Sequence, residues 1–195
     1  TDYEGTKEFT PKTINELYDK DKILNISNDG LTEQEFGIAQ SETMNEELSL
    51  NLSDCDWFVF NENYGTSEEK YFVRYLDTMI DDLKSVYYDV YLLRNEKHFK
   101  LYTFDDGRAF EPDFLLLLTK KEQELELTYQ VFIEPKGSHL FENDAWKKNF
   151  LLDLKATHQI EQVWQGKEFI VWGLPFYNHQ SSKEDFAPEF EELLK

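Results

Sequence analysis

Five consecutive apolar residues at positions 114–118 constrain the fold of this chain more than any other feature of its sequence. A strand that contains no polar residue is typical of the interior of a sheet whose two faces are both covered. Helices packed on either face supply such cover, and the neighbouring sequence contains candidates for them. We therefore expect an α/β protein with a central mixed β-sheet that is flanked by helices.

The predicted helices are marked by apolar residues that recur every three or four positions. The first begins at Thr66, which forms a capping-box pattern with Glu69 three residues later. The second runs from about residue 144 to residue 160, with Asn143 as its expected N-cap. A short helix is expected from Phe186 onward.

The remaining strands are predicted from short runs that are rich in β-branched and aromatic residues. They lie at residues 86–93, 98–104, 127–133 and 169–172. The charged stretch at 120–126 is expected to be a loop or turn. The residues expected in a single core share helical or strand spacing and are Phe72, Leu76, Ile80, Leu115, Leu117, Val131, Ile133, Phe150, Leu154, Ile170 and Trp172.

The domain organisation follows from the point at which the apolar signal strengthens. Residues 1–56 carry 14 acids and 4 bases and are expected to be a connector or cap segment. Residues 57–176 contain most of the predicted strands and helices and are expected to form the core domain. Residues 177–195 are expected to be a C-terminal helical extension. The absence of an initiator Met suggests a piece of a longer protein.

The charge of the chain limits the partners that it can bind by itself. It has 40 acidic and 20 basic residues, a formal net charge of −20. Nucleic-acid binding depends on Lys and Arg side chains that neutralise phosphates, so the isolated chain should bind DNA poorly. Only residues 131–172 are nearly balanced, with 6 acids and 5 bases. Lys147, Lys148 and Lys155 in that stretch are the candidate DNA-binding residues.

Cysteine content and hydropathy bear on where the protein works. Cys55 is the only cysteine, which excludes an intrachain disulfide and a Cys-rich zinc site. No apolar run approaches the roughly 18 residues of a membrane span, and no secretory signal segment is visible. We therefore expect a protein of the reducing cytoplasm that has no membrane partner.

Acidic residues stand at the ends of two predicted strands. Asp113 directly precedes the apolar run, and Glu134 follows the 127–133 strand, with Lys136 two residues later on the same face. If the two strands pair, Asp113 can lie beside Glu134. Two adjacent carboxylates repel each other, and a divalent cation such as Mg²⁺ removes that cost. A lysine beside such a cation can orient or help deprotonate an attacking water.

The order Pro112-Asp113, then Glu134-Pro135-Lys136, resembles the signature of the PD-(D/E)xK nuclease superfamily. This resemblance implies a restriction-endonuclease-like core. It also implies that Asp113, Glu134 and the Pro135 carbonyl ligate Mg²⁺, with Mn²⁺ as a possible substitute. Lys136 would then serve the attacking water as a catalytic residue.

A narrower resemblance is to the C-terminal endonuclease domain of type III restriction enzyme Res subunits, over roughly residues 57–175. The stretches that carry it are residues 63–70, 110–114, 133–137 and 146–147. The superfamily often places a catalytic Glu on the first helix, and Glu69 matches that position, with Glu68 as the alternative.

Such a domain would be a Mg-dependent, type II-like or type III site-specific deoxyribonuclease that acts on double-stranded DNA in restriction–modification. Its implied partners are the helicase region of the same subunit and a modification methyltransferase subunit. ATP would act only through that helicase region, because no G-x-x-x-x-G-K-[ST] motif occurs in this chain.

Other interpretations of the same residues stay open. Asp113 is also typical of a turn, Glu134 with Lys136 of a strand-end salt bridge, and Glu69 of a capping box. The net charge also fits an acidic protein that mimics DNA, although the longest acidic runs are only pairs. The same residues also fit a catalytically inactive nuclease fold that serves as an interaction domain. A glycosidase that uses Asp113 and Glu134 would leave Lys136 without a role.

Overall fold

A computed structural model describes residues 35–103, 105–122, 124–157, 162–164, 167–181 and 184–195. Residues 1–34 of the predicted connector and 158–160 of the second predicted helix lie outside the described residues. The helices and strands in chain order are α1 (Ser67–Val86), β1 (Asp89–Arg94), β2 (Leu101–Tyr102), β3 (Ala109–Phe110), β4 (Phe114–Glu122), β5 (Leu125–Ile133), α2 (Ala145–Thr157), β6 (Gln162–Trp164), β7 (Lys167–Gly173) and α3 (Phe186–Glu191). None of the helices in these described ranges is long and apolar enough to cross a lipid bilayer.

The main sheet is mixed and has the strand order β1-β4-β5-β7-β6. β5 and β7 run parallel, whereas the other neighbouring strands run antiparallel. A parallel pair needs a crossover connection, and the connection that contains α2 passes over one face of the sheet. α1 and α3 pack on the other face. The predicted α/β architecture, a central mixed sheet flanked by helices, is therefore confirmed.

β4 lies inside the sheet, and its apolar side chains serve both faces. Phe114, Leu116 and Leu118 belong to the core cluster on the α1 side. Leu115 and Leu117 belong to the cluster on the α2 side. Side chains alternate along a strand, so a strand covered on both faces needs apolar residues at every position. The two clusters are thus the two faces of one sheet.

The loop or turn predicted at residues 120–126 is too long, because β4 continues to Glu122 and β5 begins at Leu125. Lys120 shows how charged residues are accommodated there. Its Nζ lies 5.9 Å and 5.5 Å from the ring centroids of Tyr87 and Tyr129 and pairs with Glu122 at 2.9 Å. The aliphatic part of such a side chain covers apolar surface while the ammonium group stays at the rim.

Two further sequence predictions need correction. The strand predicted at 98–104 is limited to β2, which pairs with β3 in a separate two-stranded sheet. Nine of the eleven predicted core residues are buried, but Ile170 and Trp172 are only half-buried. Val171 between them is buried and belongs to the α2-side cluster. Side chains alternate along the strand, so Trp172 packs against the α1-side cluster on the opposite face of the sheet.

The segments on both sides of the predicted core domain pack against it. Leu52, before residue 57, and Phe186, after residue 176, are buried in the α1-side cluster. Tyr87 donates a hydrogen bond from its hydroxyl to the carbonyl oxygen of Leu193 at 2.6 Å. The described parts of both segments therefore share the core, and the predicted boundaries at residues 56 and 176 stay predictions.

Candidate functional site

Two acidic residues meet at the sheet edge where β5 ends and β4 begins. Phe114 pairs with Ile133 in the antiparallel ladder of β4 and β5, so the next position of the register places Asp113 opposite Glu134. The backbone N–H of Asp113 donates a hydrogen bond to Oε2 of Glu134 at 3.2 Å. The structure therefore brings together the two acids that the sequence places at separate strand ends.

Glu134 is buried on the face of the sheet that α2 covers. Only 2% of its surface is exposed. Glu134 lies two residues after Phe132, so its side chain faces the same side of the sheet, where Phe132 packs in the α2-side cluster. Lys136 lies two residues further along and therefore faces the same way. A buried carboxylate is costly unless charged or polar groups satisfy it. The lysines and the N–H group around Glu134 supply those partners.

The Asp113 carboxyl is half-buried directly beside Glu134. Burial raises the pKa of Asp113 well above its usual range, and the negative charges of Glu134 and Glu69 raise this pKa further, against the opposing effect of Lys136. The raised pKa keeps the proton on Asp113 to a higher pH than in a free aspartate, and the side-chain interaction with Glu134 acts in the same direction. A divalent cation would take the place of that proton and relieve the repulsion, so the oxygen donors here fit a hard cation such as Mg²⁺.

We expect Asp113→Asn to raise the stability of the metal-free protein at neutral pH. The amide cannot ionise, and it keeps a donor for Glu134. Because the folded-state pKa of Asp113 is raised, the unfolded chain releases this proton first, and the parent loses stability as pH rises above about 4 toward the folded-state pKa. A gain of about 1 kcal/mol would raise Tm by roughly 2–4 °C and should be larger at about pH 8 than at about pH 5.

The matched control for that measurement is Asp153→Asn, which makes the same chemical change at an exposed position of α2. Its Tm should equal that of the parent at both pH values. Thermal unfolding in the presence of a chelator measures all three proteins. An Asp113→Asn variant that is less stable than the parent at every pH would contradict the raised pKa of Asp113.

Glu69 reaches the same sheet edge from the N-terminus of α1. Its Oε2 accepts hydrogen bonds from the Thr66 N–H at 2.8 Å and from Nη2 of Arg94 at 3.0 Å. The first of these bonds completes the predicted capping box. Burial raises the pKa of Glu69, although Arg94 opposes that effect. A methyl group at Gly65 would lie only 2.8 Å from the Glu69 Cβ, which accounts for a glycine at that position.

Glu68, the alternative helix acid, faces a different partner. It accepts hydrogen bonds from the side-chain amide of Asn178 at 3.2 Å and from the His179 N–H at 2.9 Å. Asn178 also donates to the carbonyl oxygen of Lys136 at 2.9 Å. Glu69 therefore acts electrostatically on Asp113, while Glu68 anchors the segment that holds the backbone of Lys136.

Lys136 belongs to a four-charge ring formed by Glu134, Lys136, Asp144 and Lys147. Nζ of Lys136 lies 2.9 Å from Oε1 of Glu134 and 3.0 Å from Oδ2 of Asp144. Nζ of Lys147 lies 3.2 Å from the same Asp144 oxygen and 3.6 Å from Glu134 Oε1. Burial opposes the charge of Lys136, but its acidic neighbours outweigh burial and raise its pKa. Lys136 is therefore a protonated cation at neutral pH.

Pro135 presents its carbonyl group at this edge. Lys136 donates its N–H to the carbonyl of Tyr177 at 2.7 Å, and Tyr177 donates its N–H to the carbonyl of Glu134 at 3.1 Å. These parallel bridge bonds straddle Pro135, whose carbonyl oxygen accepts no hydrogen bond from the described residues. That oxygen keeps its lone pairs for another ligand.

The structure does not bring Lys148 and Lys155 to the site. Nζ of Lys148 pairs with Asp185 at 2.7 Å. Nζ of Lys155 pairs with Glu192 at 2.6 Å and with Glu189, and it lies 4.6 Å from the centroid of the Trp172 ring. Of the three predicted DNA-binding lysines, only Lys147 lies next to Glu134.

Sequence reasoning missed three residues that shape the site. Arg94 ends β1 and fixes Glu69, Asp144 precedes α2 and completes the ring, and Asn178 holds Lys136. The role of Asp144 could have been predicted from the sequence, because an acid three residues before a lysine at the start of a helix can pair with that lysine. Across the described ranges, no group of three or more His, Cys, Asp or Glu side chains has a metal-binding arrangement. The candidate cation donors are thus the Asp113–Glu134 pair and the Pro135 carbonyl.

Comparisons with known proteins place the chain in a family without assigning an activity. The family model described as HI_1054_C, C-terminal domain, matches residues 2–195. An uncharacterized protein of Haemophilus influenzae is 38% identical over 199 aligned residues. That alignment covers 98% of this chain and 39% of the relative, so the chain spans about two fifths of the relative's length. No solved structure matches the chain significantly.

Proposed function

This chain belongs to the HI_1054_C C-terminal domain family, and we propose that it is a metal-dependent endonuclease domain that cleaves DNA phosphodiester bonds. The observation that carries the proposal is the convergence of Asp113, Glu134 and Lys136 at one sheet edge. Glu134 accepts a hydrogen bond from the Asp113 backbone and pairs with Lys136. These are the residues that resemble the PD-(D/E)xK signature.

Each residue has a distinct proposed task. Asp113, Glu134 and the Pro135 carbonyl would hold Mg²⁺ or Mn²⁺. When bound, that cation would lower the pKa of a water and stabilise negative charge on the phosphate. Lys136 stays protonated, so its task is to orient the water and offset charge at the phosphate, not to remove a proton. Glu69 would support the site by adding negative charge near Asp113.

The energetic cost of the site favours a functional role over an ordinary salt bridge. A surface ion pair needs no second acid beside it and contributes little to stability. Here the Asp113 carboxyl is held beside the buried Glu134, and its pKa is raised first by burial and then by the charge of Glu134. Strongly perturbed carboxyl groups beside a specific charge partner are common at catalytic and metal sites.

The finer parts of the proposal extend the sequence resemblance. They are a restriction-endonuclease-like fold, a place in the Res subunit of a type III restriction enzyme, and site-specific cleavage of double-stranded DNA. The helicase region of the subunit, which uses ATP, and a methyltransferase subunit would be partners in the cytoplasm. The net charge of −20 opposes DNA binding by the chain alone, and in this arrangement the attached regions would supply most of the DNA affinity.

The test is calorimetric titration with Mg²⁺ and Mn²⁺, for the parent and for Asp113→Asn, alongside cleavage of duplex DNA. We expect the parent to bind the cation and the variant to bind it more than about tenfold more weakly and to lose cleavage. Asp153→Asn, on the exposed face of α2, should match the parent in both assays.

A parent protein that binds no divalent cation, or an Asp113→Asn variant that binds it equally well, would contradict the nuclease proposal. The acidic DNA mimic or the inactive interaction domain would then account for the chain better. Calorimetry keeps the test decisive even if cleavage requires the complete enzyme, because cation binding is measured on this chain alone.

A further inference from the structure

The four-charge ring contains a pair of lysines that the proposed chemistry uses only in part. Nζ of Lys136 and Nζ of Lys147 lie 3.0 Å and 3.2 Å from one atom, Oδ2 of Asp144. We propose that this lysine pair is a phosphate-binding site, which Asp144 occupies in the free protein until a DNA phosphodiester replaces it. The choice of a phosphodiester rests on the proposed nuclease function, whereas the anion site rests on the geometry of the ring.

The two acids of the ring are held very differently. The Glu134 side chain is 3% exposed, and its second oxygen accepts the Asp113 N–H. The Asp144 side chain is 22% exposed, and among the described residues only the two lysines donate to its carboxylate. Rotation of the Asp144 side chain would release both lysines without breaking a backbone hydrogen bond. Glu134 is therefore the fixed acid and Asp144 the exchangeable one.

The site that the Asp144 carboxylate occupies favours a negative charge. Partial burial opposes ionisation of Asp144, but Lys136 and Lys147 outweigh it and lower its pKa. The two lysines thus stabilise one negative oxygen at this place. A phosphodiester oxygen carries the same charge and accepts the same two charge-assisted hydrogen bonds.

An exposed arginine, Arg108, lies near the same aromatic ring as Lys147. Nζ of Lys147 lies 5.9 Å from the ring centroid of Phe110 and 6.0 Å from that of Trp146. The guanidinium carbon of Arg108, an exposed residue, lies 3.7 Å from the centroid of the same Trp146 ring. Arg108 and Lys147 therefore lie near the same aromatic ring. Cations of this kind suit phosphate contacts, which position DNA without reading its sequence.

The chain supplies a matched control in the neighbouring ion pair between Lys148 and Asp185. Lys148 is also on α2, and it pairs with one carboxylate at 2.7 Å. Asp144→Asn and Asp185→Asn change the net charge of the protein equally. Lys147→Ala and Lys148→Ala remove the same side chain from adjacent positions. Any difference within each pair therefore reports the location of the charge.

The first experiment measures binding of a short labelled DNA duplex at low salt, with Ca²⁺ in place of Mg²⁺ so that the duplex is not consumed. Asp144→Asn should bind the duplex about tenfold more tightly than the parent, because the competing carboxylate is gone. Asp185→Asn should bind like the parent. Equal tightening by both variants, or no tightening by Asp144→Asn, would overturn the proposal.

The second experiment measures how duplex affinity falls with salt. Lys147→Ala should bind more weakly and should reduce the slope of log affinity against log salt by about one, because one phosphate contact is lost. Lys148→Ala should keep the parental slope. If Lys147→Ala does not fold, Lys147→Gln keeps the length of the side chain and serves the same comparison. An unchanged slope in the folded Lys147 variant would overturn the proposal.

Failure of this inference and failure of the nuclease proposal give different results. The nuclease proposal is overturned by cation binding that is absent or insensitive to Asp113→Asn. The phosphate site is tested separately by inorganic phosphate, which Asp144→Asn should bind more tightly than the parent and than Asp185→Asn. Tighter phosphate binding without cation binding would retain the anion site and reject the nuclease.

Discussion

Lys136→Ala is expected to lower the rate of duplex DNA cleavage by about 10²–10³-fold while leaving divalent-cation binding nearly intact. A protonated lysine has no lone pair for a metal, so its removal deletes no ligand. Nζ of Lys136 lies 2.9 Å from Glu134, and its raised pKa keeps it charged. Its proposed contribution arises as charge develops on the phosphate, so kcat should fall more than KM rises.

Two comparisons make this expectation specific. Lys148→Ala removes a lysine of α2 that pairs with Asp185 away from the ring, and its cleavage rate should equal that of the parent. Asp113→Asn should lose cation binding and cleavage together, unlike Lys136→Ala. If Lys136→Ala cuts DNA as well as the parent does, the pairing of Lys136 with Glu134 is a structural salt bridge and the proposed catalytic role is wrong.

Gly173→Ala is expected to destabilise the protein by about 3 kcal/mol or more, the upper range for an overpacked core. A Cβ at Gly173 would lie 2.7 Å from the Cα of Leu151 and closer still to its carbonyl oxygen. These are backbone atoms of α2, so no side-chain rotation relieves the overlap. The helix would have to move away from β7. For a chain of this length, the loss corresponds to a fall in Tm of roughly 6–12 °C.

Gly107→Ala is the control for that prediction. Gly107 has a φ of 65° in a turn, so alanine there costs about 1–2 kcal/mol in backbone conformation. Thermal unfolding followed by circular dichroism measures both variants. A Gly173→Ala protein as stable as Gly107→Ala would contradict the close approach of α2 to β7. Because α2 carries Lys147, a folded Gly173→Ala variant should also bind DNA more weakly.

The sequence by itself determined the local features of this fold. The capping box at Thr66 and the apolar stripe of α1 depend on contacts within one helix, and both are predicted from residue spacing. The buried strand at 114–118 is predicted because an unbroken apolar run of this length suits a strand that is covered on both faces. The strands on either side of the charged hairpin tip are longer than the sequence indicates. Lys120 lies near the rings of Tyr129, on the paired strand β5, and of Tyr87, which is distant in sequence.

The acidic pair of the site was also predictable, for a reason that combines sequence with register. Asp113 and Glu134 each adjoin an apolar strand, and two strands joined by a hairpin pair in a register set by that hairpin. The start of the first strand therefore lies beside the end of the second, which places Asp113 next to Glu134. Neither the sequence nor strand pairing alone indicates that burial would raise the pKa of Asp113, because burial depends on how α2 covers the sheet.

Only the tertiary structure decided which lysines and which glutamate face the site. Consecutive residues on a helix point about 100° apart, so Lys147 and Lys148 cannot share a face, whereas Lys148 and Lys155 are two turns apart and do. The rotation of α2 about its axis, set by its packing on β7, turns Lys147 to Glu134 and the other two lysines to the C-terminal acids. The same geometry separates Glu69 from Glu68 on α1. Helical periodicity predicts which residues lie together, but the direction of each face depends on packing between segments that are far apart in the chain.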